Sequence, residues 1–169
     1  MKNNKKLTIC ACLWFLVAYI SSAAALENDS EQPITIDSNT ATYDDASGTS
    51  TYTGNVVSVQ GSIRVLSDRL VVYLKEGEAE KLVFTGKRAR FKQTPSAGSD
   101  DIVGEALTGE YYPKKNLLVL MDQATVTQNN ATYASNYIEY DIKSSLVKAG
   151  EKSSDAKRVH VILKPKQAK

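Results

Sequence analysis

The residues of this chain that could do chemistry are few and widely spaced. His160 is the only histidine among 169 residues, and no serine or carboxylate stands beside it on its alternating stretch. A zinc site with one histidine would need three carboxylates, and a catalytic triad needs partners that the sequence does not bring near it. Asp44-Asp45 and Asp100-Asp101 lack the spaced oxygen ligands of a calcium loop and suit turns, and no spacing singles out a carboxylate pair for hydrolysis. The sequence therefore predicts no enzyme, no metal site and no cofactor.

The first 25 residues are typical of a secretory signal peptide. Three lysines among the first six residues precede an apolar run at 7–20, and three alanines at 23–25 supply a small-residue cleavage site. The apolar run has about 14 residues, whereas roughly 20 are needed to span a bilayer. We therefore expect an exported protein with a single domain at 26–169, because neither half is long enough for a core of its own.

Removal of this leader changes both the charge and the cysteine count. The 21 basic residues of the whole chain fall to 18, against 19 acidic ones, so the basic pI belongs mostly to the leader. A nucleic-acid partner thereby loses its electrostatic basis. Cys10 and Cys12 also leave, which excludes a disulfide and thiolate chemistry from the exported chain. Its stability must come from hydrophobic burial.

Short β-strands are the elements expected to position any functional surface. From Thr53 to Val72, apolar residues recur at every second position with interruptions at 60–62 and 67–69, which predicts three successive half-buried strands. Similar runs, with turn signals about every 8 to 12 residues, continue to Leu163 and favour an all-β fold of roughly a dozen or more strands.

The stretch from 53 to 72 also has an echo 68 residues downstream. Gln60 aligns with Gln128, and Ser67-Asp68 aligns with Ser135-Asn136. Repetition of a unit with several strands predicts stacked, solenoid-like β layers.

Large apolar residues at alternate positions of several strands admit two interpretations. They form either a packed core or the wall of a roll whose two sheets admit an apolar ligand, and the two interpretations can share residues. The predicted wall residues are Ile34, Ile36, Val57, Val59, Ile63, Val65, Leu70, Val72, Phe84, Phe91, Tyr111, Leu118, Leu120, Tyr133, Ile138 and Tyr140.

Four segments resemble the OstA-like family of lipopolysaccharide transport proteins. They are Gln-Pro-Ile-Thr-Ile-Asp-Ser at 32–38, Tyr-Thr-Gly-Asn-Val-Val-Ser-Val-Gln-Gly-Ser-Ile-Arg-Val at 52–65, Ser-Asp-Arg-Leu-Val-Val at 67–72 and Ala-Arg-Phe-Lys-Gln at 89–93. The similarity covers about residues 31 to 165. It implies a twisted β-jellyroll of about sixteen short antiparallel strands with an apolar interior groove.

The resemblance also implies a function and its partners. The function is that of a periplasmic carrier and bridge, which shields the lipid A acyl chains of lipopolysaccharide in the groove between the inner and outer membranes. The partners are an LptC-type inner-membrane protein at the N-terminal edge, an LptD-type outer-membrane protein at the C-terminal edge, and further copies of the chain, head to tail. Apart from the resemblance, the basic residues either meet the phosphates of the lipid at the groove rim or form an ordinary solvated strand face; they are Arg64, Arg69, Arg90 and Lys92.

The terminal strands are the predicted contact surfaces of such an assembly. Edge strands expose unpaired backbone groups, and pairing the end of one copy with the start of the next propagates into a filament. The predicted edge residues are Ile34, Thr35, Ile36, Val159, His160, Val161, Ile162 and Leu163.

The alternative hypothesis is a secreted structural or carbohydrate-binding β-sandwich. It predicts exposed aromatic residues flanked by asparagine and aspartate, and only Tyr111-Tyr112 and Tyr133, near Asn129-Asn130, fit that pattern. An enzyme of unrecognised type is the third hypothesis.

Overall fold

Antiparallel β-structure dominates the chain. The computed structural model describes residues 28–96, 98–150 and 158–165, so the predicted signal peptide lies outside the described residues. The strands are β1 (Thr35–Asp37), β2 (Thr40–Asp44), β3 (Thr49–Gln60), β4 (Ile63–Lys75), β5 (Glu78–Gln93), β6 (Ile102–Tyr112), β7 (Leu117–Gln128), β8 (Ala131–Asp141), β9 (Leu146–Ala149) and β10 (His160–Leu163). Short 3-10 helices cover Asp29–Glu31 and Pro113–Lys115, and no helix in these ranges is long and apolar enough to cross a bilayer.

All ten strands belong to one sheet. Its order is β1-β3-β4-β5-β6-β7-β8-β10, with β2 also paired to β3 and β9 also paired to β8. The prediction of an all-β fold is confirmed. The strand count of about sixteen is reached only if each of the six long strands, β3 to β8, is counted as two halves.

A row of β-bulges interrupts the five pairings between the long strands. Five register shifts form this row, between Thr53 and Val56, Leu66 and Arg69, Thr85 and Ala89, Glu105 and Thr108, and Met121 and Ala124. A further shift in the β4–β5 pairing, between Tyr73 and Leu74, lies outside the row. A bulge bends its strand, so bulges side by side fold the whole sheet along one line, which we call the bend. Left-handed backbone at Gly54-Asn55 and at Asp122-Gln123 makes two of these bulges.

The bend divides the sheet into two half-sheets that face each other. The first half-sheet comprises 56–60, 63–66, 89–93, 102–106, 124–128 and 131–135 with β1 and β10, and the second comprises 49–53, 69–75, 78–85, 108–112, 117–121 and 137–141 with β2 and β9. Phe91 and Tyr111, one from each half-sheet, have ring centroids 6.2 Å apart. A Cβ built on Gly104 would lie 2.7 Å from Cδ1 of Leu120 on the opposite half-sheet.

The two inner faces form a single apolar core. Its largest side chains with under 2% exposure are Tyr111, Tyr140, Phe84, Phe91, Ile63, Leu70, Leu82, Leu118, Leu120, Ile138, Val56 and Val126. Burial of each such aliphatic or aromatic side chain stabilises the fold by about 1.5–3 kcal/mol. The core is therefore the main source of stability in the described part of the chain.

The interruption at 67–69 and the repeat take a different form from the one expected. Ser67-Asp68 lies at the bulge inside β4, so 53–72 forms parts of two long strands and not three short ones. Gln60 and Gln128 are the last residues of β3 and β7, and Ser135-Asn136 lies opposite the bulge in β7. The echo therefore relates two hairpins, β3-β4 and β7-β8, of one continuous sheet.

Candidate functional site: the apolar interior and its seam

Most of the predicted wall residues lie between the half-sheets. Those buried in the core are Ile63, Val65, Leu70, Val72, Phe84, Phe91, Tyr111, Leu118, Leu120, Ile138 and Tyr140. Ile34, Ile36 and Tyr133 are half-buried and pack against this core. The side chains of both half-sheets fill the interior in this structure, which is the packed-core arrangement of the two that the sequence allowed.

Val57 and Val59 are the two exceptions. Both are half-buried on the outer face, whereas Val56 and Ser58 point into the interior, contrary to the expectation from the sequence. The pairing with β4 explains the difference, because Ser58 lies opposite the buried Val65, whereas Val57 lies opposite Leu66, which is 39% exposed.

The basic residues assigned to the rim lie on the outer face. Arg64, Arg69 and Arg90 are exposed there. Lys92 forms an ion pair with Asp101 at 2.8 Å, and its hydrogen bond lowers the pKa of the Asp101 carboxyl. The structure therefore turns these four cations away from the interior.

Six of the eight expected edge residues lie in the strands at the two ends of the sheet, and Ile34 and Val159 directly precede those strands. β1 and β10 stand at opposite ends of the strand order, and each pairs with a single strand in the part of the chain that the structure describes. Val161 is 44% exposed, Ile162 48% and Leu163 74%, which is unusual for such apolar side chains. Among the described residues, both terminal strands thus leave one backbone edge free for pairing.

The residues considered for other chemistry do not converge. His160 is exposed on β10, and the described residues contain no group of three or more His, Cys, Asp or Glu side chains able to hold a metal ion. Tyr111 is buried and Tyr133 is half-buried, so neither presents the open aromatic face that a carbohydrate-binding surface requires.

The side of the molecule opposite the bend is where the free ends of the two half-sheets meet, and we call it the seam. Two of the hydrogen bonds that cross it are donated by buried tyrosines. The Tyr111 hydroxyl donates to Oε1 of Gln60 over 2.9 Å, and the Tyr140 hydroxyl donates to Oε1 of Gln93 over 3.0 Å. Burial raises the pKa of both tyrosines, so each hydroxyl keeps its proton and remains a donor.

A third glutamine completes the row along the seam. Gln60, Gln93 and Gln128 are the last residues of β3, β5 and β7. Nε2 of Gln128 donates to the carbonyl of Ser145, in the turn between β8 and β9, over 3.1 Å. The sequence signal for this row was the alignment of Gln60 with Gln128. Gln93 has no place in that repeat, and it was missed.

This architecture defines a class: all-β proteins in which one antiparallel sheet is folded over an apolar interior. A family model described as "LptA/(LptD N-terminal domain) LPS transport protein" matches residues 35–146. The chain belongs to this family, whose members are named as transport proteins and not as enzymes.

Relatives of known name support the assignment. The chain is 33% identical over 153 residues to the lipopolysaccharide export system protein LptH of Pseudomonas aeruginosa, covering 87% of each chain. It is 33% identical over 154 residues to the lipopolysaccharide export system protein LptA of Escherichia coli (strain K12), covering 90% of this chain and 82% of the relative. The crystal structure of LptH, described as the LptA-homologous periplasmic component of a lipopolysaccharide transport device, superposes with a TM-score of 0.75 at 31% identity over 82% of this chain and 99% of that one.

Proposed function

We propose that this protein is a periplasmic carrier and bridge for lipopolysaccharide, and that it shields the acyl chains of lipid A between its half-sheets. The observation that supports this proposal most directly is the apolar interior of a folded sheet in a chain of this family. The leader at 1–25 would direct export, and the periplasm is also the stated location of the relative LptH.

The physical requirement on such a carrier is continuous apolar cover. A chain of about a dozen carbons exposes surface that costs about ten kcal/mol in water, at roughly 0.8 kcal/mol per methylene. The inner faces supply apolar side chains along the full series of strands, from Ile36 near one end to Tyr133 near the other.

Because the interior is filled, loading requires the half-sheets to separate. All strand pairings run between neighbours along the sheet, and none of them joins one inner face to the other. Separation about the bend therefore exchanges side-chain packing for contacts with the acyl chain and leaves the paired strands intact. The apolar residues would be core in the empty protein and groove wall in the loaded one.

The free edges support the second part of the proposal, which is assembly. β10 of one copy would pair with β1 of the next, and the same edges would meet the membrane partners: an LptC-type protein at the N-terminal edge and an LptD-type protein at the C-terminal edge. A head-to-tail contact of this kind propagates the apolar interior from one copy to the next.

Site-specific photo-crosslinking in cells tests the lipid site. A photo-reactive residue at Phe91, which is buried, should crosslink to lipopolysaccharide, and one at its exposed neighbour Arg90 should not. The half-buried Tyr133 and its outer neighbour Thr132 form a second matched pair that disturbs the core less. Equal crosslinking within both pairs, or none at all, would contradict the interior site.

Assembly is tested by the dependence of molecular mass on concentration. The wild-type protein should grow beyond a monomer as its concentration rises, and Val161→Asp should reduce this growth by placing a charge on the edge strand. Leu66→Asp is the matched control, because Leu66 is 39% exposed but lies on β4, which is paired with a strand on each side. A strict monomer at high concentration, or equal effects of the two substitutions, would count against edge pairing.

A further inference from the structure

The segment 28–34 lies across the seam, and we call it the strap. Its 3-10 helix brings the Asp29 carboxylate onto the turn between β3 and β4. Oδ1 of Asp29 accepts a hydrogen bond from the Ser62 amide (2.6 Å), and Oδ2 accepts one from the Ser62 hydroxyl (2.8 Å) and one from Nε2 of Gln93 (3.1 Å). The fit is close, since a Cβ added at Gly61 would lie 2.4 Å from Oδ1 of Asp29.

The same two glutamines that tie the half-sheets together also hold the strap. Gln60 donates through Nε2 to the carbonyls of Ser30 (3.3 Å) and Gln32 (2.9 Å), while its Oε1 accepts from the tyrosine across the seam. Gln93 divides its amide in the same way between Asp29 and the other tyrosine. Each glutamine amide is therefore held by the strap through its Nε2 and by a tyrosine through its Oε1. Lifting the strap would remove the Nε2 hydrogen bonds of both glutamines at once.

Cavities on either side of the strap join the two half-sheets. One, of about 270 Å³, is lined by Asp29, by Gln93 of the first half-sheet and by Ile142 in a turn of the second. The other, of about 420 Å³, is lined by Ile34, by Gln60 of the first half-sheet and by Ala79 of the second. The strap thus lies between two depressions that each border both half-sheets.

The strap is attached by polar contacts more than by burial. None of the residues from 28 to 34 is buried, whereas the strands beneath it carry the core. Segments held by few apolar contacts open at a small fraction of the free energy of global unfolding. The strap can therefore lift while the sheet stays folded.

From this geometry we infer that the strap is a latch on a lateral mouth of the interior. It lifts to admit the acyl chain of an amphiphile through the seam and closes behind it, with the Asp29 carboxylate as the catch. This inference rests on the proposed function, and it adds a route of entry and a step that controls it.

A reversible disulfide across the catch tests the latch. Asp29→Cys with Ser62→Cys places two thiols where Oδ2 and Oγ are now 2.8 Å apart, in a chain whose natural cysteines both lie in the leader. Thr127→Cys with Thr132→Cys is the matched control, since those hydroxyls lie 3.2 Å apart away from the strap. Protein exported to the periplasm would be purified, and loading of dye-labelled lipopolysaccharide followed by fluorescence anisotropy.

Oxidation of the catch pair should slow loading by tenfold or more, and reduction should restore it; oxidation of the control pair should change nothing. Equal rates for the oxidised and reduced catch pair would overturn the latch and leave the proposed function standing. If even the wild-type protein takes up no lipopolysaccharide, the proposed function fails and the latch fails with it.

Two further measurements do not depend on the disulfide. Asp29→Ala should load about tenfold faster, the factor equivalent to losing one charge-assisted hydrogen bond from the closed state. In the wild-type protein, hydrogen exchange at the Ser62 amide should be faster while lipopolysaccharide is being loaded, because each entry lifts Asp29 from that amide. An unchanged exchange rate at Ser62 during loading would refute lifting of the strap.

Discussion

Removal of one seam hydroxyl, by Tyr111→Phe, should destabilise the protein far more than its small chemical change suggests. The substitution leaves Oε1 of Gln60 without its donor, and Gln60 is only 4% exposed, so water cannot replace the lost partner easily. An unsatisfied buried acceptor of this kind costs about 1–3 kcal/mol. Tyr140→Phe does the same to Gln93, which is 5% exposed, and should cost a similar amount.

Urea denaturation measures the effect. With a slope m of about 2 kcal/mol/M, a loss of about 2 kcal/mol lowers the midpoint by about 1 M at unchanged m. Tyr43→Phe is the control, because Tyr43 is 59% exposed and its hydroxyl bonds to Asp45 at the surface. That substitution should change the stability by no more than about 0.5 kcal/mol.

A double-mutant cycle separates the hydrogen bond between Tyr111 and Gln60 from other effects of the substitution. In a Gln60→Leu background, Tyr111→Phe leaves no buried acceptor without a donor, so it should lower the free energy of unfolding by less than in the wild-type protein. The reasoning is refuted if Tyr111→Phe costs as little as Tyr43→Phe, or if its cost is the same in both backgrounds.

Two other predictions concern the packing and the outer face. Gly109→Ala should destabilise by about 1–3 kcal/mol in urea titrations through overpacking, because its Cβ would lie 2.1 Å from Cζ of the fully buried Phe84. Gly86→Ala, whose nearest contact would be 3.2 Å, should cost clearly less, and the reverse order would contradict the packing described. The hydrogen bond that Tyr112 donates to Glu110 raises the pKa of Tyr112 to about 12 from its usual 10. The contribution of this hydrogen bond to stability should therefore be complete below pH 10 and lost between pH 10 and about 12. An ultraviolet absorbance titration of Tyr112→Phe should lack the late ionisation that the wild-type protein shows.

The alternation of apolar residues was enough to predict the class of fold and most of the core. Phe84, Phe91 and Ile138 lie inside because their strands keep a strict period of two up to the bend. The bend itself was not predicted from the sequence. Gly54-Asn55 and Ser67-Asp68 look like the ends of strands, and only the pairing of neighbours shows that they are bulges within longer ones.

The inward positions of β3 and the seam could not be obtained from local patterns. Val57 and Val59 are as apolar as Val56, and the register with β4, which places Ser58 opposite Val65, decides which of them faces inward. The strap depends on Asp29 reaching Ser62 and Gln93, which are 33 and 64 residues away along the chain. Such contacts follow from the folding of the sheet, and no spacing in the sequence carries them.

The bend also gives the molecule different stiffness in two directions. Along the row of strands, backbone hydrogen bonds connect every neighbour from β1 to β10, and stretching the protein in that direction would mean breaking them. Across the row, the half-sheets are joined by the bulged backbone on one side and by side-chain hydrogen bonds on the other. The molecule should therefore resist extension along the row of strands more strongly than separation of its two half-sheets.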